Sequence, residues 1–130
     1  MTIKHIRLSQ QSKEHLSRLK TATGIDQWNV LCRWAFCLSL REPTPPRGAE
    51  SPQVSNVEMS WSVFGGADAD LYLAILKERC RQDGVDPTND QELGRQFRMH
   101  LQRGIGYLFA ARPKDIGALL QSATGESPQR

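Results

Sequence analysis

The chain opens on near-alternation. In IKHIRL, Ile3, His5 and Arg7 fall on one side of an extended segment, and Lys4, Ile6 and Leu8 on the other. A lone strand leaves its backbone groups unpaired, so this one needs a partner strand. We expect it from a second copy of the chain; folding back onto MSWSV within the chain is the alternative. Ser9 is a good N-cap, and the period then changes from two to 3.6. Leu16, Leu19 and Ala22 point to a core, while Lys13, Ser17 and Lys20 line another face. Gly24 supplies a left-handed C-cap. Asp26 is placed to cap a second helix, Gln27 to about Leu40, in which Trp28, Leu31, Ala35 and Leu38 repeat at helical spacing. Val30, Trp34, Phe36 and Cys37 fill most of the remaining circumference. A helix apolar nearly all round is buried, here between subunits.

Glu42 to Gln53, EPTPPRGAESPQ, is a proline-rich connector that continues neither helix nor central strand. Beyond it, MSWSVFGG reads as a short extended segment. Gly65-Gly66 before Asp68 predicts a turn into a capped helix, Asp68 to about Gln82, with Leu71, Ile75 and Arg79 or Leu76 at helical spacing. After the loop DGVDPTND, Thr88-Asn89-Asp90-Gln91 fits a capping box. The long helix it opens has Leu93, Phe97, Leu101, Ile105 and Leu108 inside, with Arg95, Arg98, Gln102 and Arg103 mostly outside. Arg112-Pro113 interrupts it, and a short helix from Lys114 to about Gln121 precedes a polar tail.

The pattern predicts a mainly α protein: an N-terminal strand-helix-helix unit of ribbon-helix-helix type, then a further helical bundle, in an oligomer. A length of 130 residues suits one domain, 1–123, with the connector at 42–53 and a flexible tail at 124–130. A mean hydropathy of −0.51 is polar, and burial completed by association follows from it. No export signal is recognised, and Val30 to Leu40 is too short to span a bilayer, so a cytoplasmic protein without membrane contact is expected.

The charge is segregated. Residues 1–41 carry +5, 42–94 carry −6 and 95–130 carry +4, for the overall +3. Two basic ends that fold onto one surface attract phosphates; solvated helix faces are the alternative. Cys32, Cys37 and Cys80 are odd in number, contain no CxxC, and read as small buried hydrophobes in a reducing compartment. His5, His15 and His100 lack metal-ligand spacing and read as surface or half-buried histidines, and no metal or cofactor is expected. VFGGAD matches neither GxGxxG nor GxxxxGK[ST], and no nucleophile elbow is present. Catalysis by this chain is not expected.

Binding reads better. In a ribbon-helix-helix unit two chains lay a paired ribbon in the major groove while helix N-termini hold phosphates, and His5 and Arg7 would face the bases. Lys4 would lie on the inner face, tolerable at a ribbon's end. Lys13, Arg18 and Lys20, with Arg95, Arg98 and Arg103, suit contact with the DNA backbone without sequence selectivity. Gly24, Trp28, Leu31, Trp34, Ala35 and Leu38 are the expected oligomer interface; a dimerisation core with a basic skin explains that stretch equally.

Three segments agree in order with one family. IKHIRLSQQSKEHLSRLKTATGIDQWNVLCRWAFCLSL, the connector EPTPP, and SWSVFGGADADLYLAILKERC resemble the DndE family of bacterial DNA phosphorothioation systems, over about Ile3 to Ala123. FGGADADLYLAIL and the segment from Gly24 to Cys37 are the most specific parts. The resemblance implies a small accessory component beside other DNA sulfur modification proteins: a DNA-binding oligomer, a tetramer, that prefers nicked duplex. Lys4, Arg7, Lys13 and Lys20 match the family's basic N-terminal region. A ribbon-helix-helix transcription regulator and an assembly adaptor with an acidic docking segment are the competing functions.

Overall fold

The computed structural model describes residues 5–48, 53–111 and 117–118. Lys4, the break at Arg112-Pro113 and the tail 124–130 lie outside the described residues; of the final short helix, Gly117 and Ala118 are described and are helical. The order is β1 (His5–Ser9), α1 (Gln10–Thr23), α2 (Trp28–Arg41), β2 (Val54–Ser60), α3 (Trp61–Gly65), a 3-10 turn (Gly66–Asp68), α4 (Ala69–Gln82) and α5 (Asp90–Ala111). It is mainly helical, with the predicted strand-helix-helix start.

The strand's partner is in its own chain. β1 pairs antiparallel with β2, with Ile6 opposite Met59 and Arg7 opposite Glu58. Opposite charges face one another across the pair, and Ile6, Leu8 and Met59 turn inward to the core. An intramolecular ribbon thus supplies the partner that the backbone of β1 requires. Its register slips between Arg7 and Ser9, where Ser55 donates its hydroxyl to Leu8 O at 2.9 Å. The extended segment ends at Ser60, whose side chain caps α3, so SWSVFGG turns helical.

Local end signals explain the helix boundaries. Ser9 Oγ accepts from Ser12 N, and Gly24 ends α1 at φ 76°, as its sequence predicts. Two expected caps differ. Asp26 makes no cap: Gln27 holds that position without a side-chain bond, and Asp26 lies 3.8 Å from Lys20 Nζ. Asn89, not Thr88, opens α5 by accepting from Glu92 N at 3.1 Å, because Thr88 is held in a turn by Asp86. At α1's end Thr23 is buried and Ala22 exposed, reversing the expected order. Thr23 satisfies itself there by donating to Leu19 O at 2.7 Å.

α2 packs along α5, and this contact makes the centre of the fold. Leu31, Cys32, Ala35, Phe36 and Ser39 are buried within the monomer. Leu31 and Ala35 are thereby corrected from oligomer interface to internal core; Trp28, Trp34 and Leu38 keep partly exposed positions. Where the helices cross, a Cβ on Gly104 would sit 1.7 Å from Ala35 O, so glycine sets the closeness of approach. Phe36, Phe64 and Phe97 meet with ring centroids 5.0–5.8 Å apart, and Trp61 closes on Phe97 at 4.9 Å. On α4 the buried face is Leu76, Arg79 and Cys80, while Leu71 and Ile75 are exposed, about a quarter turn from expectation. Cys37 is likewise exposed, whereas Cys32 and Cys80 are buried.

Two arginines act as structural clamps. Arg79 is 7% exposed; it pairs with Asp83 and donates to the carbonyls of Leu40, Glu42 and Thr44. Arg103, expected on the outside, donates to Ser39 Oγ and to the carbonyls of Ser39 and Thr44 at 2.7–2.9 Å. Together they satisfy the end of α2 and the start of the connector. His100, fully buried rather than half-buried, shares Ser39 Oγ at 2.8 Å through Nδ1. Burial, with Arg79 and Arg103 nearby, pushes its pKa down to about 4.

Candidate nucleic-acid interface

The basic residues singled out by sequence separate into a few groups. His5 and Arg7 project from the outer side of β1, as the alternation requires. Glu58 stands between them, 3.5 Å from His5 Nδ1 and 2.9 Å from Arg7. An acid in that position cancels much of the positive field a base-reading strand would present. Ser55 O also accepts from Arg7 at 3.3 Å, so the guanidinium is oriented by the neighbouring strand.

Lys13, on α1, donates to Asn56 at 2.7 Å, and Arg18 is exposed farther along the same helix. Lys20 lies over the Trp28 ring, 4.2 Å from its centroid, and borders a cleft shared with Trp28 and Val63. Arg95 pairs with Glu92 at 3.0 Å near the start of α5. Arg103 is tied to α2, as above, and is removed from the candidate phosphate contacts.

The fold does bring two distant candidates together. Arg7 from β1 and Arg98 from α5 line one cleft of about 170 Å³, with Ser9, Ser12 and Gln102, over a floor that includes Leu8 and Leu101. The cleft lies at the amino end of α1. No acid occupies that helix's first turn, so its positive end is not neutralised from within. Two guanidiniums, two serines and an amide converge there, a donor set suited to a phosphodiester oxygen. Ser12 and Gln102 escaped the sequence reading. Gln102 stands one turn after Arg98, but nothing local tells that this edge of α5 passes the start of α1.

Other chemistry is sparse. Among the described residues, no group of three or more His, Cys, Asp or Glu side chains could hold a metal ion. Burial pushes the Cys32 thiol up to about 12, far from a reactive thiolate, and partial desolvation raises the more exposed Cys37 as well. Among the described residues no helix is long and apolar enough to cross a membrane.

Comparison with known proteins agrees with the architecture. The family model described as DNA sulphur modification protein DndE matches residues 5–114. A crystal structure of DndE from Escherichia coli B7A, involved in DNA phosphorothioation modification, is similar with a TM-score of 0.67 and 23% identity. The match covers 83% of this chain and 98% of that one. A structure of a DndE G21/24K mutant, involved in DNA phosphorothioation, has a TM-score of 0.61 and 18% identity, covering 82% of this chain and 99% of the other. No curated protein sequence matches the chain.

Proposed function

Because the chain belongs to the DndE family of DNA sulphur modification proteins, we propose that it serves DNA phosphorothioation as a non-catalytic subunit that grips the duplex backbone. The observation carrying this reading is the convergence of Arg7 and Arg98, far apart in sequence, on one cleft at the amino end of α1. Lys13 and Arg18 extend the basic surface along that helix. Backbone contacts position a protein without reading sequence, which suits a modification subunit that other proteins of the system supply with sulfur chemistry. A nick adds flexibility without changing sequence, so a preference for nicked duplex follows from recognition by charge and shape.

The regulator reading fares worse on geometry. One edge of β1 is already taken by β2 within the chain, and Glu58 stands in the middle of the face that would read bases. Glu58 beside Arg7 does not preclude phosphate contact, because an exposed pair of this kind is worth about 1 kcal/mol or less and exchanges readily.

The test is binding of intact and singly nicked duplexes of several sequences across a salt series, for the natural protein and for Arg7→Gln with Arg98→Glu. Binding should be indifferent to sequence and fall steeply with salt. The double variant should lose at least tenfold in affinity, and its log–log salt slope should shrink by about one for each phosphate contact removed. Undiminished binding by a folded double variant would refute the assignment of the cleft. Strong preference for one sequence would return the regulator to first place.

A further inference from the structure

The Arg7–Arg98 cleft does not stand alone. Gln102, on its wall, also lines a second cleft with Arg47, Arg103 and Tyr107. Tyr107 is shared in turn with a third, which Leu38 and Arg41 bound. Leu38 and Arg41 pass into a fourth, a groove of about 380 Å³ lined further by Arg33, Trp34 and Tyr72. Four depressions thus follow one another through shared lining residues, from the start of α1, along α5, to α2.

The make-up of this track is one-sided. Six arginines line it, Arg7 and Arg98 at one end, Arg47 and Arg103 in the middle, Arg41 and Arg33 at the other; Arg103, tied to Ser39 and Thr44, flanks Tyr107 and is not counted as a backbone contact. Glu42 is the acid among its described lining residues, and that carboxylate is engaged with the Thr44 backbone and hydroxyl. Tyr107, Trp34 and Tyr72 punctuate the farther half. Tyr107 is 44% exposed, with the Arg103 guanidinium 6.0 Å from its ring centroid. A duplex has its bases stacked inside and offers aromatic side chains little to hold. A single strand offers both a charged backbone and open base faces, and arginines interleaved with aromatic rings are the surface that holds both.

We infer that this track holds a single-stranded stretch of DNA, leaving the duplex at the Arg7–Arg98 cleft and running over Tyr107 toward Trp34 and Tyr72. The inference rests on the duplex-binding reading at the shared cleft alone; the aromatic half is independent of it. Single-stranded binders engage roughly 4–16 nucleotides per fold, so a strand of about twelve is a suitable probe.

The experiment titrates the full chain with a labelled oligothymidine of about twelve nucleotides, an abasic strand of equal length, and an intact duplex. The variants Tyr107→Ala and Arg47→Glu lie outside the proposed duplex contacts. Oligothymidine should bind more tightly than the abasic strand and quench tryptophan fluorescence, with part of the quench lost in Trp34→Phe. Each of the two variants should weaken it about tenfold, the size of one lost stacking or backbone contact, and leave the duplex unaffected. Equal binding of abasic and normal strands, or no effect of either variant, overturns the inference. So does competition by polyglutamate as effective as by DNA, which would make the track a site for an acidic protein. A fall in molecular mass in Leu38→Glu would assign the groove to a second copy of the chain and also overturn it. A natural protein that binds oligothymidine but not the intact duplex would count against the proposed duplex grip and for the track.

Discussion

Gly104 carries the tightest constraint in the fold, and it is set by one missing methyl group. A Cβ there would lie 1.7 Å from Ala35 O and 2.4 Å from Ala35 C, both backbone atoms that rotamer changes cannot move. Gly104→Ala must push α5 off α2 along the whole contact, so we predict a loss of at least about 3 kcal/mol, read as a large drop in the urea midpoint. Gly106, two residues on, has open space around its would-be Cβ. Gly106→Ala should therefore be neutral or slightly stabilising, by up to about 1 kcal/mol, through helix propensity. His100 makes a second prediction at this scale. Its Nε2 is buried without a partner, and its folded pKa of about 4 lies below the ordinary 6.5. Between those values the unfolded chain binds the proton and the folded one does not. Stability is then fully present above pH 6.5 and declines as pH falls toward 4, by roughly 1–3 kcal/mol from this residue. Urea titrations at pH 7, 5.5 and 4.5 should show that decline, and His100→Gln, which cannot titrate, should flatten it.

At the scale of elements, what decides the fold is how α2 ends and what meets that end. Arg79 reaches from α4 to three carbonyls of the connector region and to Asp83, at 8% and 6% side-chain exposure for the pair. Removing the guanidinium strands a buried carboxylate and three acceptors together. Arg79→Met should cost about 3–5 kcal/mol, and Arg79→Lys should recover little, since a single ammonium cannot reproduce the fork; thermal unfolding of both variants gives the answer. This clamp shows what the sequence could and could not disclose. Ser9, Gly24 and the inside face of α5 from Leu93 to Leu108 were legible because their signals are local: a side chain meeting a backbone group a few residues away, or a repeat within one helix. The α4 face was misjudged because Leu71 and Ile75 are as apolar as Leu76. What fixes the face is the anchoring of Arg79, whose partners lie 35–39 residues back at the end of α2 and in the connector. β1's partner was named only as the alternative to a second chain, for the same reason. Any extended apolar segment satisfies a strand, and the choice between β2 and another chain depends on tertiary closure. The candidate site was half legible: Arg7 and Arg98 could be named, but their meeting could not.

At the scale of the whole molecule, the apolar surface left over argues for association of copies. Trp28 and Val63 border one cleft of about 340 Å³ together with Val57 and Met59, and Val63 is 52% exposed. That cleft sits beside the end of α1 and Gly24, on residues separate from those of the arginine track. A small protein with a polar mean hydropathy gains by covering such a patch, and a partly exposed tryptophan is the residue type that recurs at the centres of interfaces. Lys20 and Asp26 at its rim supply both signs of charge, which lets a two-fold related copy place each against the other. We therefore predict that the protein sediments as a multimer, a tetramer on the family resemblance, and that Trp28→Glu lowers its mass. The same change should leave the affinity of one protomer for a short duplex nearly intact, because Arg7 and Arg98 lie elsewhere. On long duplexes binding should weaken far more than tenfold, since the gain from engaging several clefts at once is lost with the assembly. Sedimentation of Trp28→Glu beside the natural protein, paired with short and long duplex titrations, separates these effects. A monomeric natural protein would remove the multivalent term and leave each cleft to bind alone.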